Sequence, residues 1–200
     1  MKKVFFCIIA CLLAICLVYL AINIVSGNKS PLAKAARSII NPTIKYDASY
    51  QLIPYPMGDV NSKRGCCTDV VIRAYRKIGV DLQQLVHEDR KSQGIATDTN
   101  IDHRRVANLM TFFSRHGTVL PVTHNPKDYQ SGNIVCWDLD GQLHIGIVSD
   151  LRTISGFFFK NQPKYMIIHN MGALGQIPTE WTFSSKMKIV GHYSYPKDKK

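Results

Sequence analysis

The chain has too few cysteines in the right places to be a disulfide-stapled fold. It carries six, but Cys7, Cys11 and Cys16 lie inside an N-terminal apolar run, which leaves Cys66, Cys67 and Cys136. Adjacent cysteines rarely pair with each other, so at most one bridge, Cys66 to Cys136, is open, and stability must come from a hydrophobic core. Acidic residues are also scarce, 14 against 25 Lys and Arg, for a formal charge of +11. Part of that charge sits in Lys2, Lys3 and the tail Lys197-Asp198-Lys199-Lys200, and no basic run is interleaved with aromatics. A dedicated nucleic-acid groove is therefore not expected, whereas a basic surface outside the cytoplasm suits anionic partners such as cell-wall polymer or lipid head groups. A metalloprotease helix is missing too. Lys91 stands where the second histidine would follow His87 at the fourth residue, and Glu88 and Asp89 are expected to be solvated or paired to an arginine such as Arg73.

What is present begins with Met1-Lys2-Lys3 and an unbroken apolar run from Val4 to Val25. A charged start before such a run reads as an export signal, either cleaved near Val25-Ser26-Gly27 or retained as a membrane anchor. The expected organisation is a signal or anchor over 1–27, a linker over 28–45 containing a short helix or stalk, one domain over 46–196, and a basic tail over 197–200. The expected location is the periplasm or the extracytoplasmic face of the inner membrane.

The stretch from Gly65 to Gly79 organises the domain. Val71, Ala74 and Ile78 recur at helical spacing, Val70 and Tyr75 widen the stripe, and Gly79 supplies a left-handed stop. Counting back four residues from Val71 puts Cys67 on the core-facing stripe at the first turn, and Cys66 toward the solvent edge with Arg73 and Lys77. Unpaired backbone N–H groups and the helix dipole favour the thiolate there, which makes Cys67 the candidate nucleophile. The plainer alternative is a small buried apolar residue.

Downstream, Asp81 to Asp89 predicts a short helix with Leu82, Leu85 and Val86 inward, followed by a loop from Arg90 to Asn100. Asp102-His103-Arg104-Arg105 predicts the start of an amphipathic helix with the stripe Val106, Leu109, Met110 and Phe113, ended by Gly117. Asp102 would cap that helix with the arginines solvated, or the four residues would form a clamp for a substrate carboxylate. Ile134–Trp137 and His144–Val148 read as a hairpin around Asp140-Gly141, which sets Leu139 against Gln142 and Trp137 against His144. Tyr165–His169, Lys188–Tyr195 and Phe157–Phe159 are further candidate strands. Helices first and an antiparallel sheet afterwards read as α+β. Tyr55, bracketed by Pro54 and Pro56, would bring a hydroxyl to the thiol or simply pack.

A cysteine at a helix start, a histidine opening a strand and a second histidine ending the next one supply nucleophile, base and orienter in Cys67, His144 and His169. Such chemistry needs no metal and no cofactor. The same three residues could instead hold zinc.

Gly65-Cys66-Cys67-Thr68-Asp69-Val70-Val71-Ile72-Arg73-Ala74-Tyr75-Arg76, Val86-His87-Glu88-Asp89, Asn100-Ile101-Asp102-His103-Arg104-Arg105-Val106, His144-Ile145-Gly146-Ile147-Val148-Ser149-Asp150 and Gly191-His192-Tyr193 together resemble the bacterial domain-of-unknown-function family 1287, from about Tyr46 to Tyr195. That family is in turn similar to NlpC-type, papain-like cysteine peptidases. The resemblance implies a cysteine-bearing helix packed on a small antiparallel sheet. It also implies a hydrolase that cuts amide bonds of the cell envelope, most plausibly peptidoglycan peptides, through Cys67, His144 and His169. A catalytically silent wall-binding module is the alternative. The sequence departs from the family pattern at Cys66, Ala107 and Asn133, where a small apolar residue, a proline and an aspartate are usual, and in a short Arg90–Asn100 loop.

Overall fold

A computed structural model describes residues 30–152, 165–171, 176–180 and 188–196. The N-terminal run, the candidate strand Phe157–Phe159 and the tail from residue 197 lie outside the described residues. Among the described residues, no helix is long and apolar enough to cross a membrane.

The fold is α+β. Helices α1 (Pro31–Ser38), α2 (Cys67–Lys77), α3 (Leu82–Ser92) and α4 (Val106–His116) accompany an antiparallel six-stranded sheet. Its strands are β3 (Thr118–Val119), β4 (Ile134–Leu139), β5 (Gln142–Arg152), β6 (Tyr165–Asn170), β7 (Gln176–Glu180) and β8 (Lys188–Ser194), in the order β3-β8-β4-β5-β6-β7. A separate parallel pair joins β1 (Lys45–Tyr46) to β2 (Arg64–Gly65), the residues that lead into α2.

The strand period of two sorts the sheet's side chains onto two faces. Ile134, Cys136, Ile145, Ile147 and Ile168 pack with Val70, Val71 and Ala74 of α2 and with Leu109 and Phe113 of α4 in the main core. Val135, Trp137, Val148 and Ile167 line the opposite face with Tyr129. The hairpin has the expected register, Leu139 opposite Gln142 and Trp137 opposite His144. Positive φ at Asp140 (53°) and Gly141 (90°) gives the turn the twist that antiparallel strands need.

The expected linker is part of the domain. Pro31 starts α1, where its missing N–H is harmless, and Leu32 and Ala36 are buried in the main core. Arg37 donates to Asp150 at 2.7 Å. Small alanines let this helix lie close to the sheet, a packing role that composition alone does not distinguish from a stalk.

α3 extends to Ser92, past the expected end at Asp89, and Asp81 caps it by accepting from the Gln83 N–H at 3.0 Å. Asp102–Arg104 form a separate 3-10 turn, and α4 begins only at Val106, because Arg105 is extended (φ −100°, ψ 119°). Asp102 therefore caps no helix.

Candidate active site

Helix α2 begins at Cys67, with Cys66 in the extended cap position (φ −115°, ψ −169°). Asp69 reaches back from the first turn and accepts from the Cys66 N–H at 2.7 Å, so one unpaired donor of the helix start is satisfied. The end of β6 is tied to the same place, with the Asn170 side chain donating to the Gly65 carbonyl at 2.9 Å.

The two thiols face different surroundings. Cys66 is buried, against the expected solvent edge. Its sulfur lies 3.1 Å from the Thr68 hydroxyl and accepts from Arg104 Nη2 at 3.8 Å. Position relative to Arg73 and Lys77 does not govern a residue outside the helical repeat, and the cap position turns this side chain inward. The Cys67 sulfur feels the backbone N–H groups of Ile145 and Thr68, which favour its charged form. Cys66, Cys67 and Cys136 are all free and buried, so the possible Cys66 to Cys136 bridge is not formed.

The adjacent thiols titrate as a pair. A hydrogen bond from Cys67 holds Cys66 down at about 7 against the penalty of burial, with smaller help from Thr68 and Arg104. The same hydrogen bond, then burial, pushes Cys67 up, while the Ile145 and Thr68 N–H groups pull it down. The pair thus carries one thiolate readily and a second only with difficulty.

Behind the thiols stands a buried ion pair. Arg104 grips Asp69 through Nε to Oδ1 at 3.0 Å and Nη2 to Oδ2 at 3.1 Å, and both side chains are almost wholly enclosed. Its remaining donors go to the carbonyls of Ser49 at 2.7 Å and Asp47 at 3.2 Å.

On the sheet, His144 Nε2 and His169 Nδ1 are 2.8 Å apart. Their strands pair through Ile147 with Ile168 and Val148 with Ile167, which brings the two rings together at the hairpin end of β5. Gly146 makes the approach possible, since a Cβ there would stand 3.1 Å from His169 Cβ and 2.8 Å from an Ile167 methyl. Trp137 stands beside both rings, with centroids 5.5 Å from His144 and 6.1 Å from His169. Burial, then the His169 charge, depresses His144 to about 3, and burial depresses His169 to about 4. Both are neutral near pH 7, so one nitrogen of the contact donates and the other accepts. With Nε2 committed to His169, proton exchange by His144 elsewhere falls to Nδ1.

The expected clamp is dispersed into structural roles. Asp102, His103 and Arg104 are buried, and only Arg105 is exposed. Asp102 accepts from Arg90 Nε at 3.1 Å and from the Asp98 N–H at 2.9 Å, and lies 3.2 Å from His87 Nδ1. Burial lowers His103 to about 4. The charges of this tetrad read as a ligand-binding cluster in sequence because nothing local marks Asp69 and Arg90 as their partners.

Tyr55 packs its ring edge-on against His87, with centroids 5.2 Å apart. The tyrosine that feels the thiols is Tyr46, raised to about 12 by burial and then by the charges of Cys67, Cys66 and Asp69. Its pairing opposite Gly65 across β1 and β2 brings it there, and a two-residue parallel strand leaves too little pattern to be read from sequence. Asp89 pairs with Arg115 at 2.8 Å and lies 2.7 Å from His116 Nε2, whereas Arg73 goes to Asp59.

Fold and site together define an α+β domain with a thiol pair at a helix start and a histidine pair on the sheet that this helix packs against. Residues 33–195 match the family described as Domain of unknown function (DUF1287). The chain is 45% identical over 184 residues to the uncharacterized protein YijF of Escherichia coli (strain K12), a match covering 87% of this chain and 85% of that protein. The chain belongs to the DUF1287 family.

Proposed function

We propose that this domain is an exported, papain-like thiol hydrolase of the NlpC type that cleaves amide bonds of the cell envelope, most plausibly in peptidoglycan peptides. The observation that supports it best is the buried histidine pair on the sheet against which the Cys67 helix packs. His144 Nε2 lies 2.8 Å from His169 Nδ1, and the helix start carrying Cys67 is tied to the end of the His169 strand through Asn170 and Gly65.

In the reaction, the Cys67 thiol gives its proton to His144 Nδ1 and its sulfur bonds to the substrate acyl carbon. The C–N bond then breaks, and the amine leaves with the proton returned by His144. Water repeats the sequence on the thioester: it transfers a proton through His144 and releases the acid and the free thiol. His169 holds the His144 ring in the orientation that presents Nδ1. A basic chain carrying formal charge +11 favours an anionic wall polymer as the surface on which this occurs.

The test combines brief iodoacetamide labelling, mapped by peptide mass at pH 6 and pH 7, with digestion of peptidoglycan fragments followed by mass spectrometry. Cys67 should label much faster than Cys136, Cys67→Ala should release no products, His144→Ala nearly none, and His169→Ala an intermediate amount. Labelling of Cys67 no faster than Cys136, with no product from any fragment, would sink the proposal. Retained wall affinity in that case would indicate a silent binding module, and stoichiometric zinc with thiol protection would indicate a metal site. If Cys66→Ser abolished turnover while Cys67→Ser spared it, the nucleophile would be the other sulfur.

A further inference from the structure

A cavity of about 550 Å³ opens at the C-terminal end of α2, away from the thiols at its start, and its floor is basic and its wall apolar. Arg73, Arg76 and Lys77 reach it from α2 against one acid, Asp59, which leaves two positive charges in excess. Ile39, Ile40 and Ile44 supply the wall.

The three cations are not equally engaged. Arg73 is the most engaged, with Nε on Asp59 at 2.9 Å and Nη2 on the carbonyls of Val60, Asn61 and Arg64. Arg76 is not: Nη2 donates to the Gly58 carbonyl at 2.9 Å, Nη1 stands 3.6 Å from Asp59, and Nε is shielded from water with no hydrogen-bond partner. Lys77 is exposed and enters no ion pair among the described residues. An enclosed donor left unpaired is costly, and such groups in native proteins usually have a ligand or a function.

We propose that this cavity binds the phosphate of an amphiphilic phosphate ester. The Arg76 guanidinium and the Lys77 ammonium donate to its oxygens, and its alkyl chain lies against Ile39, Ile40 and Ile44. Carboxylates fit less well, because two excess charges and separate donors match an anion with several acceptor oxygens. The isoleucine wall favours an ester with a hydrocarbon part over the bare ion. The residues bounding the cavity, Ser38 to Ile44, follow directly on α1, in the part of the fold nearest in sequence to the apolar run Val4 to Val25. A bilayer lipid is thus the natural source, and free phosphate is the other. The site is independent of the thiol chemistry.

The test uses the full chain in nonionic micelles, with the arginine Nε resonances followed by ¹⁵N–¹H spectroscopy and Arg76 assigned through Arg76→Lys. Titration with dihexanoylphosphatidylglycerol should shift the Arg76 Nε resonance saturably, with inorganic phosphate binding about tenfold more weakly for want of the apolar contact. Lys77→Gln, a surface change that leaves the melting temperature in place, should weaken lipid binding by about fivefold to tenfold. Equal affinity for inorganic phosphate would keep the anion site and assign it to the free ion. No saturable shift with either probe, or a Lys77→Gln affinity equal to the parent's, would overturn the proposal.

Discussion

Arg104→Met tests whether the arginine beside the thiols is a pillar of the fold or a hand for substrate. In the native protein its guanidinium meets both Asp69 oxygens at 3.0 and 3.1 Å, with side-chain exposures of 1% and 3%. Removing it strands a carboxylate away from water, and breaking one side of a buried pair costs about 3–5 kcal/mol. The Ser49 and Asp47 carbonyls also lose a charged donor. Ser49 is exposed and Asp47 half-buried, so water replaces part of what the carbonyls lose and about 1 kcal/mol is added. A loss of about 4 kcal/mol is large against the roughly 5–15 kcal/mol that holds a domain folded. At roughly 2–4 °C per kcal/mol for a chain of this size, the melting temperature should fall by about 8–16 °C. Circular dichroism melts and urea titrations of the full chain at pH 7 read both quantities. Combining Arg104→Met with Asp69→Leu removes the stranded charge and should recover about half the loss or more. A single variant within about 1 kcal/mol of the parent would refute the reasoning and return Arg104 to the list of substrate contacts.

Two further predictions concern pH. Burial holds His103, His144 and His169 neutral, at about 4, 3 and 4, whereas the unfolded chain protonates its histidines near 6.5. The unfolded state therefore binds more protons below pH 6.5, and urea midpoints should drop progressively from pH 6.5 to 4, with a shallower slope in His103→Gln and a flat profile telling against the burial argument. Asn133→Asp addresses His192, whose Nδ1 lies 2.8 Å from the Pro121 carbonyl and Nε2 2.9 Å from Asn133 Oδ1, an oxygen fixed by the Gln130 N–H that donates to it. A neutral ring can protonate only one of these contacts, so a carboxylate at 133 should raise the folded His192 above its unfolded value. The variant's stability relative to the parent should then improve as pH falls from 8 to 5.5, and a pH-independent difference would refute the pairing.

The readable part of the fold was the part with local repetition. Val71, Ala74 and Ile78 mark α2, Val106, Leu109 and Phe113 mark α4, and Asp140-Gly141 fixes the β4–β5 register, because in each case the residues that share a face are close in sequence. α1 was harder to place. Its alanines say helix but not what the helix lies on, and Leu32 joins a core whose strand members, such as Ile134 and Ile147, lie more than a hundred residues away. The parallel pair Lys45–Tyr46 with Arg64–Gly65 is two residues long, so Tyr46 arrives beside the thiols with no periodicity to announce it.

The same distinction governs the site. Cys67, His144 and His169 stand out in the sequence because each lies at or near an end of an element that the pattern defines, and the structure brings the two histidines to 2.8 Å. The choice between adjacent cysteines cannot be read from helical period alone, since Cys66 is the cap and obeys no such period. Arg104 and Thr68 draw negative charge toward Cys66, while the Ile145 and Thr68 N–H groups draw it toward Cys67. The sulfur that ionises first is therefore Cys66, not the proposed nucleophile Cys67. In the proposed reaction the Cys67 proton goes to His144, and the neighbouring Cys66 thiolate would be a second acceptor. Cys66→Ala should then shift the alkylation midpoint of Cys67 without abolishing its labelling. It removes a neighbouring acceptor and its charge but leaves the helix start and the Ile145 N–H in place.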